Sequence, residues 1–282
     1  MNAIEIIDLC KSYPGFSLDH LNLTLPSGCI MGLVGENGAG KSTTMKLILE
    51  MIKRDSGTIT LFGKDNRESI RLAKEEIGVV LDEVGIPSLL NAKQVGKVMK
   101  HTFRNWDKEA YGNYLKKLSV PENKPFKDFS RGMKMKLGIA IALSHHAKLL
   151  LLDEATSGLD PVVRDEVLDL FNEFTREEDH SILISSHIVS DLEKICDYIA
   201  FLHKGKLLLC EEKDRLKELY GIVHCTKDTF ANIAPDAVIG RKEGAYGIDA
   251  LVTKNRIPAG MEVRPVDIEQ IFIFMVKEAK TE

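Results

Sequence analysis

Short apolar runs alternate with turn signals and helical stretches along most of the chain. Cys29–Val34, Ile77–Leu81, Leu149–Leu152 and Ser181–Ser185 are compact runs of the kind expected from strands buried in a parallel sheet. Ile4–Leu9 and Leu21–Leu25 alternate instead, and Pro14-Gly15 and Pro26-Ser27-Gly28 punctuate them, which predicts half-buried strands joined by turns. Thr44–Ile52 carries apolar residues at helical spacing, Asp55-Ser56-Gly57 turns the chain into a strand over Thr58–Phe62, and Gly63-Lys64-Asp65 closes it. From Pro87 to about Ala147 the texture is helical, with helices over Ala92–Phe103 and Lys108–Leu118 and the single tryptophan, Trp106, between them as a packing residue. A further helix opens at Ser130 and runs through Leu137–Leu143. Another runs from Pro161 to about Arg176, before a solvated Glu177-Glu178-Asp179 loop. Beyond Tyr220-Gly221, Ile222–Cys225, Ala237–Gly240 and Ala250–Thr253 predict short strands. Asp267–Lys277 predicts a terminal helix that packs on them through Ile268, Ile271, Phe272 and Met275.

The places where the pattern switches carry the chemistry. Between the strand at Cys29–Val34 and the helix after it lies Gly35-Glu36-Asn37-Gly38-Ala39-Gly40-Lys41-Ser42-Thr43, which fits G-x-x-x-x-G-K-[ST]. Its glycines let successive backbone N–H groups converge on one anion, and the helix that follows adds its positive end. Lys41 supplies a charge for the outer phosphates and Ser42 a hydroxyl for Mg²⁺, so the loop predicts binding of a nucleoside triphosphate. Leu149–Leu152 runs directly into Asp153-Glu154, so a buried strand delivers two carboxylates to the edge of that site. Asp153 would reach Mg²⁺ through water, and Glu154 is placed to orient or deprotonate an attacking water.

Other positions read two ways. Asp82-Glu83, at the end of the Ile77–Leu81 strand, are site residues or an ordinary solvated turn. Ser130 is a helix cap, and with Arg131 and Gly132 it makes either a plain cap or a second anion-attracting helix start. Asp160 caps the helix that Pro161 begins. His187 is structural, or it hydrogen-bonds a phosphate or the attacking water; Tyr13 packs, or it stacks on a base.

Bulk properties narrow the class. With 282 residues the chain has room for one large α/β domain and a smaller unit. A net charge of −4 gives no basic excess to suggest nucleic acid. The five cysteines are scattered without C-x-x-C spacing, which predicts small buried thiols in a reducing compartment rather than disulfides or zinc. Acids among the first apolar residues argue against a signal peptide, and no apolar run approaches the ~20 residues that cross a bilayer.

Over about residues 1–220 the ordered motifs resemble the ATP-binding subunits of ABC transporters. Gly35–Ser42 corresponds to the Walker A motif, Phe129–Met133 to the signature segment, Leu149–Glu154 to the Walker B motif and Ser157–Asp160 to the D-loop. His187 corresponds to the switch histidine and Tyr13 to the adenine-stacking position. The resemblance implies a P-loop NTPase (RecA-like) α/β core with an antiparallel β subdomain and a helical lobe at about 87–147. Residues 221–282 would form a small α+β C-terminal extension of unknown role. It implies hydrolysis of ATP to ADP and phosphate with Mg²⁺, and head-to-tail pairing with a second ATPase subunit, the same or a related chain. Each ATP would lie between one subunit's phosphate loop and the other's Ser130, Arg131, Gly132 and Asp160. It also implies a separate transmembrane permease, a peripheral place on the cytoplasmic face of a bacterial membrane, and no nucleic acid. A soluble ABC ATPase in translation, repair or cluster assembly is the alternative. A single Walker A motif and the lack of sustained heptads count against its translation and repair forms.

Two positions depart from the family pattern. The signature, usually L-S-G-G-Q, reads Phe129-Ser130-Arg131-Gly132-Met133, and the usual Q-loop glutamine is replaced by Asp82, whose carboxylate could serve Mg²⁺ or water. With Arg131-Gly132-Met133-Lys134, this looks like small bacterial exporters with separate ATPase and membrane chains, among them exporters of antibiotics and of antimicrobial or cytolytic peptides. Substitution of Ser130 or Arg131 is expected to leave nucleotide binding by the monomer intact. A membrane partner is expected at the seam around Asp82–Phe103.

Overall fold

In a computed structural model, which describes residues 1–68, 74–82, 85–245, 247–258 and 260–278, the compact apolar runs become the middle of one sheet. Its strands are β3 (Ile30–Val34), β6 (Ile77–Val80), β7 (Leu149–Asp153), β8 (Ser181–Ser186), β9 (Tyr198–His203) and β10 (Lys206–Glu212), in the spatial order β10-β9-β3-β8-β7-β6. All neighbours pair in parallel except β10, which is antiparallel on the edge. Because side chains alternate along a strand, Leu149 and Leu151 join Met31, Leu33 and Leu183 on one face, while Leu150 and Leu152 join Ile30, Ile182, Ile184 and Phe201 on the other. Each of these is buried, and full burial of one such side chain is worth about 1.5–3 kcal/mol.

The first face is covered by helix α1 (Lys41–Ile48) and by a four-stranded antiparallel sheet, β2-β1-β4-β5. That sheet comprises β1 (Asn2–Tyr13), β2 (Phe16–Pro26), β4 (Ser56–Leu61) and β5 (Lys64–Asp65). The second face is covered by α2 (Ala92–Thr102), α3 (Lys108–Lys117), α4 (Arg131–Ala142), α5 (Pro161–Phe174) and α6 (Val189–Ile195). Side chains set these helix starts. A reciprocal Asn91–Gln94 box caps α2, and Asp107 accepts from Glu109 and Ala110 N–H at α3. Trp106 packs as the sequence suggests, its ring 5.0 Å from Tyr111 and 6.4 Å from Phe103. Helix α5 ends at Phe174, short of Arg176, where His180 stacks on the Phe174 ring and hydrogen-bonds its carbonyl at 3.0 Å. The five thiols are free, but only Cys196 is buried; Cys10, Cys29, Cys210 and Cys225 are half-buried, which corrects the expectation of uniformly buried cysteines.

Past α7 (Lys213–Leu219), a three-stranded antiparallel sheet has the order β11-β13-β12, formed by β11 (Tyr220–Cys225), β12 (Val238–Gly244) and β13 (Gly247–Thr253). A short α8 (Lys227–Phe230) lies within it, and α9 (Ile268–Glu278) closes the chain. α9 buries Ile268, Ile271, Phe274 and Val276, and the expected Phe272 and Met275 pack partly buried against the main core. The reason is that α9 packs against β12 on one side and the main core on the other. Phe274 presses its carbonyl toward Gly240, and the Phe272 ring lies 5.3 Å from Phe201.

Candidate nucleotide site

The carboxyl ends of β3, β6, β7 and β8 converge, and the predicted chemistry sits in the crevice they make. β3 feeds the loop Gly35–Gly40, which hands the chain to α1 at Lys41. Two positions tolerate only glycine. A Cβ on Gly35 would stand 2.6 Å from the Leu202 carbonyl oxygen. Gly40, at φ 114°, lies in the left-handed region with Phe16 Cζ 3.0 Å from where its Cβ would be. Gly40 is also the N-cap of α1 and no side chain caps that helix, so its first-turn N–H groups face the crevice with the positive end of the dipole. Lys41 is 6% exposed, and its Nζ donates to the Gly35 carbonyl at 2.7 Å and lies 3.8 Å from Glu154 Oε1.

β7 ends on Asp153, buried among the strands, where the Ser185 hydroxyl of β8 donates to its Oδ1. Glu154 then turns into the left-handed region, at φ 56°, with its N–H donating to the Ser185 carbonyl at 3.1 Å. For a residue with a side chain this conformation costs roughly 1–3 kcal/mol, and it swings the Glu154 carboxylate out of the strand and into the crevice. There Oε2 accepts from His187 Nδ1–H at 2.6 Å and from the His187 backbone N–H at 3.4 Å.

The crevice holds a cavity of about 490 Å³, within the range of small-molecule sites. Of the sequence-predicted residues, Glu36, Asn37, Gly38, Gly40, Lys41, Ser42, Thr43, Asp82 and Glu154 line it. Gly35, Ala39 and Asp153 stand buried behind, and His187 reaches the cavity through Glu154. Glu83 lies outside the described residues. Tyr13 is not brought to the wall; it is 42% exposed at the hairpin tip, with Lys11 Nζ 5.3 Å above its ring. The aromatic that lines the cavity is Phe16, beside Gly15 and opposite Tyr13 in the β1–β2 register. Phe16 and Ser185 are the contributors that sequence reasoning passed over. The Pro14-Gly15 turn, which folds Phe16 back against Tyr13, was the available signal for the first.

The signature segment stands apart from the cavity wall. Ser130 caps α4, its oxygen accepting from Met133 N–H at 3.2 Å, and Asp160 caps α5 in the same way through Val163 N–H at 3.1 Å. Arg131 is not on the wall either, but its Nη2 donates at 2.5 Å to Oδ1 of Asp82, which is. The two departures from the family pattern are thus bonded to each other.

Comparison with known proteins agrees with this geometry. Residues 18–157 match the ABC transporter family model. The chain is 37% identical over 218 residues to the bacitracin transport ATP-binding protein BcrA of Bacillus licheniformis, covering 76% of this chain and 71% of that one. It is 37% identical over 224 residues to the lantibiotic transport ATP-binding protein SrtF of Streptococcus pyogenes, covering 77% and 95%. A solved ATP-binding subunit of an ABC transporter superposes with a TM-score of 0.70 at 24% identity, over 76% of this chain and 92% of that one, and so shares the fold. The chain belongs to the ABC transporter family, as one of its ATP-binding, ATP-hydrolysing subunits.

Proposed function

We propose that the chain powers export through a separate membrane permease by binding ATP between two ATPase subunits and hydrolysing it to let them part. The observation that carries this is the meeting, in one crevice, of the Lys41 loop, the Asp153 carboxylate and the His187-held Glu154. Asp153, Ser42 and Asp82 offer hard oxygen donors of the kind Mg²⁺ takes, and two of the three line the cavity. Bound there, the ion would neutralise charge on the outer phosphates. Lys41 and the first-turn N–H groups of α1 bind those phosphates. Glu154 takes the proton from the attacking water, and His187 holds the Glu154 carboxylate in position.

Ser130, Gly132 and Asp160 stand off the cavity, which suits residues that complete the site of a second subunit. That subunit would be the same chain or a related one. Driving such a pair from 1:99 to 99:1 closed takes about 5.5 kcal/mol of differential binding, which two triphosphates contacted from both sides can supply.

Among the described residues no helix is long and apolar enough to cross a membrane. In this reading the permease is a different polypeptide and the subunit sits peripherally on the cytoplasmic face. An apolar groove of about 430 Å³ offers its docking place. Of the expected Asp82–Phe103 seam only Thr102 and Phe103 line the groove, which lies between the end of α1 and β6 on one side and α2 and α4 on the other. Met51, Ile77, Leu81, Phe103 and Ile141 line it. Met51 is 55% exposed. The relatives named for bacitracin and lantibiotic transport favour an antibiotic or peptide as cargo. In this reading residues 1–220 are the cassette and 221–282 an accessory unit. Purification of the tagged chain from detergent-extracted membranes tests the proposal. It should bring down a polytopic partner, and Met51→Glu should lose that partner while ATP binding persists. Full activity in a soluble pathway with no membrane partner recovered would replace the exporter reading with the non-transport one.

A further inference from the structure

Asp82 and Arg131 belong to different halves of the proposed machine. Asp82 lines the chain's own nucleotide cavity, whereas Arg131 opens the helix that, in the reading above, faces the ATP of a second subunit. Yet Arg131 Nη2 donates to Asp82 Oδ1 at 2.5 Å within one chain. The Arg131 stem crosses the D-loop on the way, with Cδ only 3.3 Å from where a Cβ on Gly158 would stand. We propose that this ion pair is a switch that makes the chain's two half-sites cooperative. Asp82 holds the Arg131 guanidinium at home until nucleotide and metal engage Asp82, and only the released guanidinium serves the opposing ATP.

The proposal rests on the dimer reading of the signature segment. Three features carry it further. A guanidinium presents one planar fork, so Arg131 cannot bond Asp82 and a phosphate of another subunit with the same face at once. The two side chains are 57% and 51% exposed, and an ion pair that open to water is weak enough to be exchanged for a more highly charged partner. Both residues also stand where the family pattern places neutral ones, glutamine and glycine, so two departures 49 residues apart form one device. The partner of Arg131 lines the chain's own nucleotide cavity, which links the two half-sites. Reciprocity follows: if filling the first site frees Arg131, closing on the second subunit must favour filling of the first by the same factor.

The test is a double-mutant cycle in a Glu154→Gln background, which suppresses turnover. The ATP concentration for half-maximal dimerisation is read by sedimentation velocity for that protein and for its Asp82→Asn, Arg131→Gln and combined variants. With Arg131 present, Asp82→Asn should lower that concentration about two- to fivefold, the weight an exposed ion pair carries. In the Arg131→Gln background it should give no such gain. Any loss from removing a carboxylate beside the metal enters both comparisons and cancels. Arg131→Lys, which keeps the charge, should preserve part of the coupling. An equal effect of Asp82→Asn in both backgrounds would overturn the switch while leaving the dimer reading intact. Absence of any ATP-dependent dimer in the parent Glu154→Gln protein would remove the dimer reading and the switch with it.

Discussion

His187 grips Glu154 through one carboxylate oxygen, with Nδ1–H donating to Oε2 at 2.6 Å and the backbone N–H approaching the same atom at 3.4 Å. The other oxygen, Oε1, is left toward Lys41 at 3.8 Å and toward the cavity. The His187 ring on Oε2 fixes which lone pairs of Glu154 can meet a water.

Removing that ring should therefore damage chemistry rather than binding. His187→Ala is expected to lower ATP turnover by roughly 10²-fold or more, within the range typical of acid–base positioning. Equilibrium affinity for ATP should stay within about threefold. Steady-state hydrolysis beside a nucleotide-binding titration separates the two. A loss of affinity with turnover preserved would return His187 to a structural role.

Lys41 has the opposite profile. It is almost fully buried, and its ammonium is held by the loop's own Gly35 carbonyl, so it is positioned before any phosphate arrives. Lys41→Ala should weaken ATP binding by roughly ten- to a hundredfold, the worth of a charge-assisted hydrogen bond to an anion. The comparison of ATP with adenosine in the same titration checks the mechanism, because the nucleoside should bind both proteins alike.

The sequence made the local parts of this site readable and left the long-range parts hidden. The phosphate loop, the Asp153-Glu154 strand end and the Ser130 and Asp160 caps are contiguous signals, each dictated by a strand, turn or helix of a few residues. Phe16 was hidden because the hairpin register, not the sequence order, decides which aromatic meets Gly40. The Arg131–Asp82 pair joins two segments whose proximity depends on how α4 lies against β6. The second packed side of α9, Phe274 and Val276, was hidden for a similar reason. Helical periodicity shows that such a helix has an apolar side, but α9 is gripped from two directions, by β12 and by Phe201.

His145 supplies a pH signature at the proposed docking groove. Its ring stacks on Phe103 at 4.0 Å and contacts the Ile141 and Ile77 carbonyls at 3.2 Å, and burial outweighs those carbonyls, holding its pKa below the ordinary 6.5. A histidine depressed in the fold takes up its proton first in the unfolded chain. Its contribution to stability is therefore complete above about pH 6.5 and falls as pH drops from there toward the lower folded value. Thermal unfolding followed from pH 7.5 to 5 should show a decline over that window that is shallower in His145→Gln. An identical slope in the two proteins would mean that the buried ring does not couple folding to protons.

The account turns on ATP joining two copies of the site through Lys41 on one side and Ser130 on the other, with Glu154 reopening them. Sedimentation velocity of purified Glu154→Gln tests this most directly, because the substitution should suppress hydrolysis while leaving the Lys41 loop able to bind. The expected result is a monomer without nucleotide, a stable dimer with ATP and Mg²⁺, and a return to monomer when ADP replaces ATP. A protein that binds ATP yet stays monomeric at saturating nucleotide and micromolar chain, or that turns ATP over at the wild-type rate, would contradict it.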